Sequence, residues 1–341
     1  MQFLSDNKTW IIAELSANHN GVRENALELV RMAANAGADA VKVQTYTPET
    51  MTLDCEREEF LVRGGTLWDG RKLFDLYREA HLPWDWHGAI FEEAKQAGIP
   101  CFSTPFDASA VDFLEQFDPP VHKVASFELI DHPLLAKIAS TGRPVILSTG
   151  MATEEEIGEA VDVLRGGGCP EIVLLKCTSS YPAPPDEANL ARIPDMMERF
   201  GVIAGLSDHT LGIEVPIAAV ALGARVIEKH FCMSRDLPGP DSAFSLEPGE
   251  FREMVRAVRV VESAIGEPIY ERTSAEEKSL AFRRSLFFVR DMEAGEVVCS
   301  DDVRVIRPGH GLPPKDLPQV LGRRVTRAVT RGAPVAHDLL G

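Results

Sequence analysis

Residues 202–230, VIAGLSDHTLGIEVPIAAVALGARVIEKH, hold two short apolar runs, 202–206 (VIAGL) and 226–230 (VIEKH), around a helical stretch that ends in small residues, LGAR. Strands this short and apolar suit burial on both faces, as in a parallel sheet. A glycine at the helix end takes the left-handed conformation and turns the chain back into the sheet. The unit recurs along the chain. Further runs lie at 10–13 (WIIA), 40–45 (AVKVQT), 100–104 (PCFST), 121–125 (VHKVA), 145–148 (VILS) and 172–177 (IVLLKC), which makes eight. Between them Ala26, Leu29, Val30, Ala33 and Ala36 form an i, i+3, i+4 stripe, repeated by Ile157, Ala160, Val161 and Leu164. Thr153 and Glu156 form a T-x-x-E capping box, and Phe251, Met254, Val255, Val258, Val261 and Ile265 mark the last helix before the composition changes. Small-residue ends recur before strands in AGADAVKV and QAGIPCFS.

Eight strand–helix units in series predict an α/β fold of the TIM (β/α)8-barrel type over 1–266. An open doubly wound sheet is the alternative, but no G-x-G-x-x-G follows the first run. Residues 267–282 read as a polar linker or peripheral helix. Residues 283–341, with SLFFV and VRVI among Gly/Pro turns, read as a small β-rich module, too small for a large core and in need of something to pack on. Residues 46–83, with RGGTLWDG, form a long insertion after the second strand that is placed to cover a barrel mouth.

The chain has 341 residues, 45% apolar and 26% charged, and a net charge of −17, which argues against nucleic acid as the main partner. Residues 283–341 carry 10 Lys and Arg against 7 Asp and Glu, a balance of +3, so the first 282 hold −20. An acidic body repels anions at long range, so any phosphate site must supply its own cations or N–H donors. No run approaches the roughly 20 apolar residues of a membrane span. MQFLSDNKTW shows no secretory pattern, and the six cysteines form no C-x-x-C pair. A cytoplasmic protein without structural disulfides is expected.

A barrel's active site lies at the carboxyl ends of its strands. Those ends are unusually polar here: Glu14, Lys42, Gln44, Ser103, Thr104, Lys123, Ser126, Glu128, Ser148, Ser179, Tyr181, Ser207, Asp208, His209, Glu228 and His230. Burying so many ionisable groups without partners would be costly. His209 and His230 end the last two strands, side by side in a barrel, and suit Mn²⁺, Fe²⁺, Co²⁺ or Zn²⁺ with water and substrate completing the shell. Hydrogen-bonded structural histidines are the bland reading. Lys42 and Lys123 could converge on a phosphate or carboxylate; rim lysines with solvated heads are their bland reading.

GLSDHTLGIEVPIAAVALGARVIEKHF followed by RDLPGPDSAFSLEP, with AELSANHNG, AVKVQTY, FSTPFD, HKVASFEL, ILSTGM and CTSSYPAP in order, resembles the N-acetylneuraminate (sialic acid) synthase family over essentially the whole chain. RRSLFFVRDMEAGEVV, VIRPGHGL and LGRRVTR resemble the antifreeze-like (SAF) domain that follows the barrel in that family. The subgroup it resembles most is the pseudaminic-acid one. Ser179 and Ser242 stand where N-acetylneuraminate synthases carry Asn and His, which favours 2,4-diacetamido-2,4,6-trideoxy-L-altrose over N-acetylmannosamine as the sugar. The resemblance implies condensation of phosphoenolpyruvate with the open-chain sugar, with C–O cleavage and phosphate release, to a nine-carbon nonulosonic acid.

It also implies His209 and His230 as ligands of a divalent metal, Mn²⁺ first, with Mg²⁺ or Co²⁺ as substitutes. Lys42, Thr104, Lys123, Ser126, Ser148, Ser179, Tyr181 and Ser207 match phosphoenolpyruvate-binding positions, with Lys42 and Lys123 also catalytic. Gln44 and Glu128 match sugar contacts, Asp241 a carboxylate beside sugar and metal, and Glu14 is the candidate for handling the attacking water. Arg307 matches a residue brought to the sugar's acyl group by the partner in a domain-swapped homodimer. The rival expectations are a legionaminic acid or N-acetylneuraminate synthase, a deoxyheptulosonate- or deoxyoctulosonate-phosphate synthase, and, remotely, a non-catalytic carbohydrate-binding protein.

Overall fold

The computed structural model describes residues 8–63, 68–237 and 239–341. MQFLSDN, the GGTL of RGGTLWDG and Pro238 of RDLPGPDSAF lie outside the described residues. Two compact units are present, residues 1–266 and 267–341.

The first unit is a closed barrel of eight parallel strands: β1 (Trp10–Glu14), β2 (Ala40–Thr45), β3 (Cys101–Pro105), β4 (His122–Val124), β5 (Val145–Ser148), β6 (Ile172–Cys177), β7 (Ile203–Asp208) and β8 (Val226–His230). β8 closes onto β1, with Glu14 opposite His230. Strand side chains alternate in direction, and the burial pattern follows that period. Ile12, Ala40, Phe102, Ile146, Val173, Leu175 and Val226 fill a small core inside the barrel. The intervening residues, such as Ile11, Val41, Leu174 and Ile227, pack outward with the helices in a larger one. The barrel is tight at Gly205 of β7, where an added Cβ would stand 2.2 Å from the Val226 carbonyl oxygen. Any side chain there would force β7 and β8 apart.

The helices follow the sequence stripes. Arg23–Ala36 buries Ala26, Leu29, Val30, Ala33 and Ala36, and Gly37 ends it in the left-handed region at φ 95°. Glu154–Gly166 opens with the Thr153–Glu156 capping box. Pro248–Ile265 buries Phe251, Met254 and Val258, but Ile265, expected on that stripe, is exposed at the end of the helix. Between β2 and β3 the chain forms Pro48–Met51 and Leu73–Ala80 before the barrel helix His87–Gln96.

Asp208, grouped above with the mouth residues, points the other way. It lies outside the barrel wall in an ion pair with Lys229, whose Nζ also donates to the Thr210 carbonyl, while Thr210 Oγ1 donates to Asp208 at 2.9 Å. Both charges are buried.

The second unit pairs β9 (Ser285–Phe288) with β10 (Val303–Ile306) in an antiparallel ribbon. Isolated bridges tie in Met292 with Val329, Val297 with Arg324 and Val325 with Leu340. The unit has its own core, including Leu286, Phe288, Met292, Val303, Val325 and Val335. Residues 267–282 hold the helix Ser274–Ser279, and Ala281 accepts a hydrogen bond from Gly309 N at 3.0 Å.

Removing one partner of a buried ion pair strands the other charge and costs about 3–5 kcal/mol. Lys229→Met should therefore lose about that much in urea unfolding, and adding Asp208→Leu should recover part of the loss. A single variant as stable as the parent would refute the account.

Candidate active site

A cavity of about 420 Å³ opens at the carboxyl ends of the strands. Its floor is built by inward-facing residues one pleat above the barrel core: Glu14, Lys42, Thr104, Lys123, Ser148, Ser207 and Glu228. The Lys42 ammonium forms an ion pair with Glu14, donates to Thr104 Oγ1 at 3.1 Å and lies 3.8 Å from Glu228. Lys123 Nζ donates to Ser148 Oγ at 2.7 Å and to the Val124 carbonyl at 2.9 Å, and stands 4.0 Å from the same Glu228 oxygen. Glu228 accepts from Ser207 Oγ at 3.0 Å through Oε1, but Oε2 has no hydrogen-bond donor. Two lysines and two acidic residues thus share one floor.

Burial sets the ionisation of this quartet and the charges modulate it. It pushes the Glu14 carboxyl up, although Lys42 pulls the other way. It pulls Lys123 down. For Lys42 burial also acts downward, but Glu14 and Glu228 outweigh it and hold the ammonium above its usual range. For Glu228 burial acts upward, and Lys123 with Lys42 outweighs it, keeping the carboxylate ionised.

A polar chain climbs from the floor. Glu14 Oε1 accepts from Ser16 N and from Gln44 Nε2, each at 3.1 Å. Gln44 also donates to Ser16 Oγ at 3.1 Å, and Ser16 Oγ donates to Asp241. Burial raises Asp241, against the Ser16 bond. On the far side Glu128 lines the cavity with Oε2 unpartnered, and burial pushes its carboxyl up to about 7.

The rings of His209 and His230 are 5.2 Å apart between centroids and inclined at 61°. Tyr181 lies over His209 at 4.3 Å, and Phe244 packs against His230 at 4.9 Å. His209 Nδ1 is 2.9 Å from the Thr178 carbonyl, which fixes a proton on that nitrogen and leaves Nε2 with its lone pair. His230 Nδ1 is buried with no hydrogen-bond partner among the described residues, and burial holds the ring well below its usual value, hence neutral. Burial acts downward on His209 too, but the Cys177 thiol outweighs it and holds the ring above its usual value; once that proton is released, the two imidazoles fit a divalent cation whose other positions are filled by water or substrate. Among the described residues no cluster of three or more His, Cys, Asp or Glu is arranged for a metal.

The cavity lining thus unites Glu14, Lys42, Gln44, Thr104, Lys123, Ser126, Glu128, Ser148, Tyr181, Ser207, His209, His230 and Asp241. Ser179 is not among the lining residues. Its hydroxyl backs Gly150, where an added Cβ would stand 2.2 Å from Ser179 Oγ and 2.7 Å from Ser126 Oγ. Arg307 belongs to the second unit, where it is exposed. Sequence reasoning gave no role to Glu228, Ser16, Cys177, Tyr46 or Tyr77, which also line the cavity. For Glu228 the signal was present: it shares the inward parity of His230.

A (β/α)8 barrel with a buried ammonium pair and an imidazole pair at one mouth is the frame of an enzyme acting on a small anionic substrate. The NeuB family model matches residues 29–270 and the SAF domain model residues 283–340, so the chain belongs to the NeuB family, with a SAF domain after its barrel. It is 46% identical to the pseudaminic acid synthase of Campylobacter jejuni, over 97% of this chain and 96% of that protein. To the N,N'-diacetyllegionaminic acid synthase of the same strain it is 36% identical, over 94% and 96%. Among solved structures, N-acetylneuraminic acid synthetase from Leptospira borgpetersenii superposes with a TM-score of 0.72 at 32% identity, covering 80% of this chain and 90% of that one.

The folded protein keeps the Glu128 proton up to about pH 7, whereas an exposed carboxyl releases it near 4.5. Its contribution to stability is therefore present at low pH and falls as pH rises through that window. Glu128→Gln should remove this slope, so the variant should gain on the parent in urea unfolding from about pH 5 to about pH 7. A stability difference that ignores pH would refute the assignment.

Proposed function

We propose that this enzyme condenses phosphoenolpyruvate with 2,4-diacetamido-2,4,6-trideoxy-L-altrose to give pseudaminic acid and phosphate. One observation carries the reading: two buried lysines and two buried histidines line a single cup, in a chain similar end to end to a pseudaminic acid synthase. The relative named for legionaminic acid stands ten percentage points lower in identity.

In this reading Lys42 and Lys123 take the carboxylate and phosphate of phosphoenolpyruvate, helped by the hydroxyls of Thr104, Ser126, Ser148 and Ser207. Ser179 acts from behind, holding the corner between Ser126 and Gly150. Tyr181 packs against His209 and closes that side to water. Gln44, Glu128 and Asp241 orient the open-chain sugar so that its aldehyde carbon meets C3 of phosphoenolpyruvate. The C2–C3 π pair forms the new C–C bond, the aldehyde C=O π pair moves onto its oxygen, which takes up a proton to become the new hydroxyl, and C2 is left electron-deficient. Water adds there, Glu14 takes its proton, and collapse of the resulting tetrahedral centre breaks the C2–O bond and expels phosphate. His209 and His230 would hold a divalent cation, Mn²⁺ foremost, which when bound polarises the aldehyde oxygen as a Lewis acid. Arg307 serves the sugar's acyl group in a homodimer, and the protein works in the cytoplasm. No helix among the described residues is long and apolar enough to cross a membrane.

Phosphate release should require both substrates, stop with a chelator and return with Mn²⁺; chelator-resistant turnover would remove the metal from the scheme. Glu14→Gln should lower turnover by about 10²–10⁴-fold, the usual range for a general base, while calorimetry still detects phosphoenolpyruvate binding. Undiminished turnover would exclude Glu14. Arg307→Ala should raise the KM for the sugar and leave that for phosphoenolpyruvate alone. An unchanged sugar KM would exclude Arg307.

A further inference from the structure

The two sides of the cavity differ in kind. Strand ends make one side polar, whereas the segment between β2 and the helix His87–Gln96 contributes Met51, Val62, Leu73 and Leu76 to the other, with Tyr46, Trp68 and Tyr77 beside them. None of these four belongs to the apolar cores of either unit, yet each is partly shielded from solvent. Apolar side chains that serve no core and converge on a cavity offer a ligand surface without hydrogen-bond partners. Tyr46 and Tyr77 line the cavity too and give this wall its polar edge. Tyr77 follows Leu76 on the helix Leu73–Ala80, and burial raises its phenol, with Glu128 acting the same way.

We propose that this wall sets sugar specificity by receiving the C6 methyl group of a 6-deoxy hexose, with the amide substituents left to the polar edge. The inference rests on the condensation reading above. A methyl group leaves water and meets Met51, Leu73 and Leu76. A 6-hydroxyl in the same place loses its water and finds no donor or acceptor among these three side chains in return. An apolar pocket discriminates against an added hydroxyl by about 10²-fold at most, and that is the preference assigned to the wall.

The test pairs 2,4-diacetamido-2,4,6-trideoxy-L-altrose with the same sugar bearing a 6-hydroxyl, at saturating phosphoenolpyruvate with phosphate release as readout. The parent should favour the deoxy sugar in kcat/KM by about 10²-fold. Leu76→Asn and, independently, Met51→Gln should each cut that preference about tenfold or more, chiefly through the KM of the deoxy sugar. The KM for phosphoenolpyruvate should stay put and certify an intact floor, and Leu76→Met should restore the preference. Variants with an intact phosphoenolpyruvate KM and an undiminished preference would overturn the proposal, as would a parent that prefers neither sugar. Turnover of neither sugar would bring down the condensation reading and this inference together. Turnover of the deoxy sugar with preference unmoved in the variants would sink the inference alone.

Discussion

Four ionisable groups buried at the end of a barrel must balance one another. Glu14, Lys42, Lys123 and Glu228 are each at most 5% exposed and stand on four different strands. Any of them alone would carry a desolvation penalty of several kcal/mol. Together, with Thr104, Ser148 and Ser207 supplying hydroxyls, they form a neutral floor that can be buried. A multiply charged anion arriving there upsets the balance, because the carboxylates that stabilise the lysines in the free protein compete with it. The floor is stable when empty and responsive when filled.

The rest of the barrel serves this floor. One pleat below, Ile12, Phe102, Ile146 and Leu175 pack the interior and deny water access from beneath. Outside, the large core clamps the strands between helices and holds the register that aims each ionised group inward. Above, the polar chain through Gln44, Ser16 and Asp241 joins the β1 end to the loop after β8, so floor and mouth form one hydrogen-bonded body.

Much of this was legible before any coordinates, because barrels write themselves in local patterns. The eight apolar runs, the stripe of Ala26 to Ala36 and the Thr153 cap each depend on residues a few positions apart. Neighbouring strands also made the closeness of His209 and His230 readable, since they end adjacent staves. Facing was harder. Asp208 and His209 are consecutive, and only the pleat decides that one turns out to Lys229 and the other into the cup. Glu228 looked like one more polar strand end because its importance lies in two lysines distant in sequence. The apolar wall of 46–83 has no repeat to betray it, since its members come from loops and short helices rather than one stripe. The core of the second unit escaped for a like reason: the pairing of Val297 with Arg324 is long-range.

Strand β8 carries two messages on five residues. Val226, Glu228 and His230 face the axis, while Lys229 faces the helices and is locked to Asp208 of β7. With a period of two, a shift of one residue would swap the faces. An ammonium would then enter the cup in place of an imidazole, and a carboxylate would be thrust into the hydrocarbon layer. The outer lock is therefore a vernier for the inner bore: it admits one alignment of the last two staves and thereby sets the gauge between the two rings.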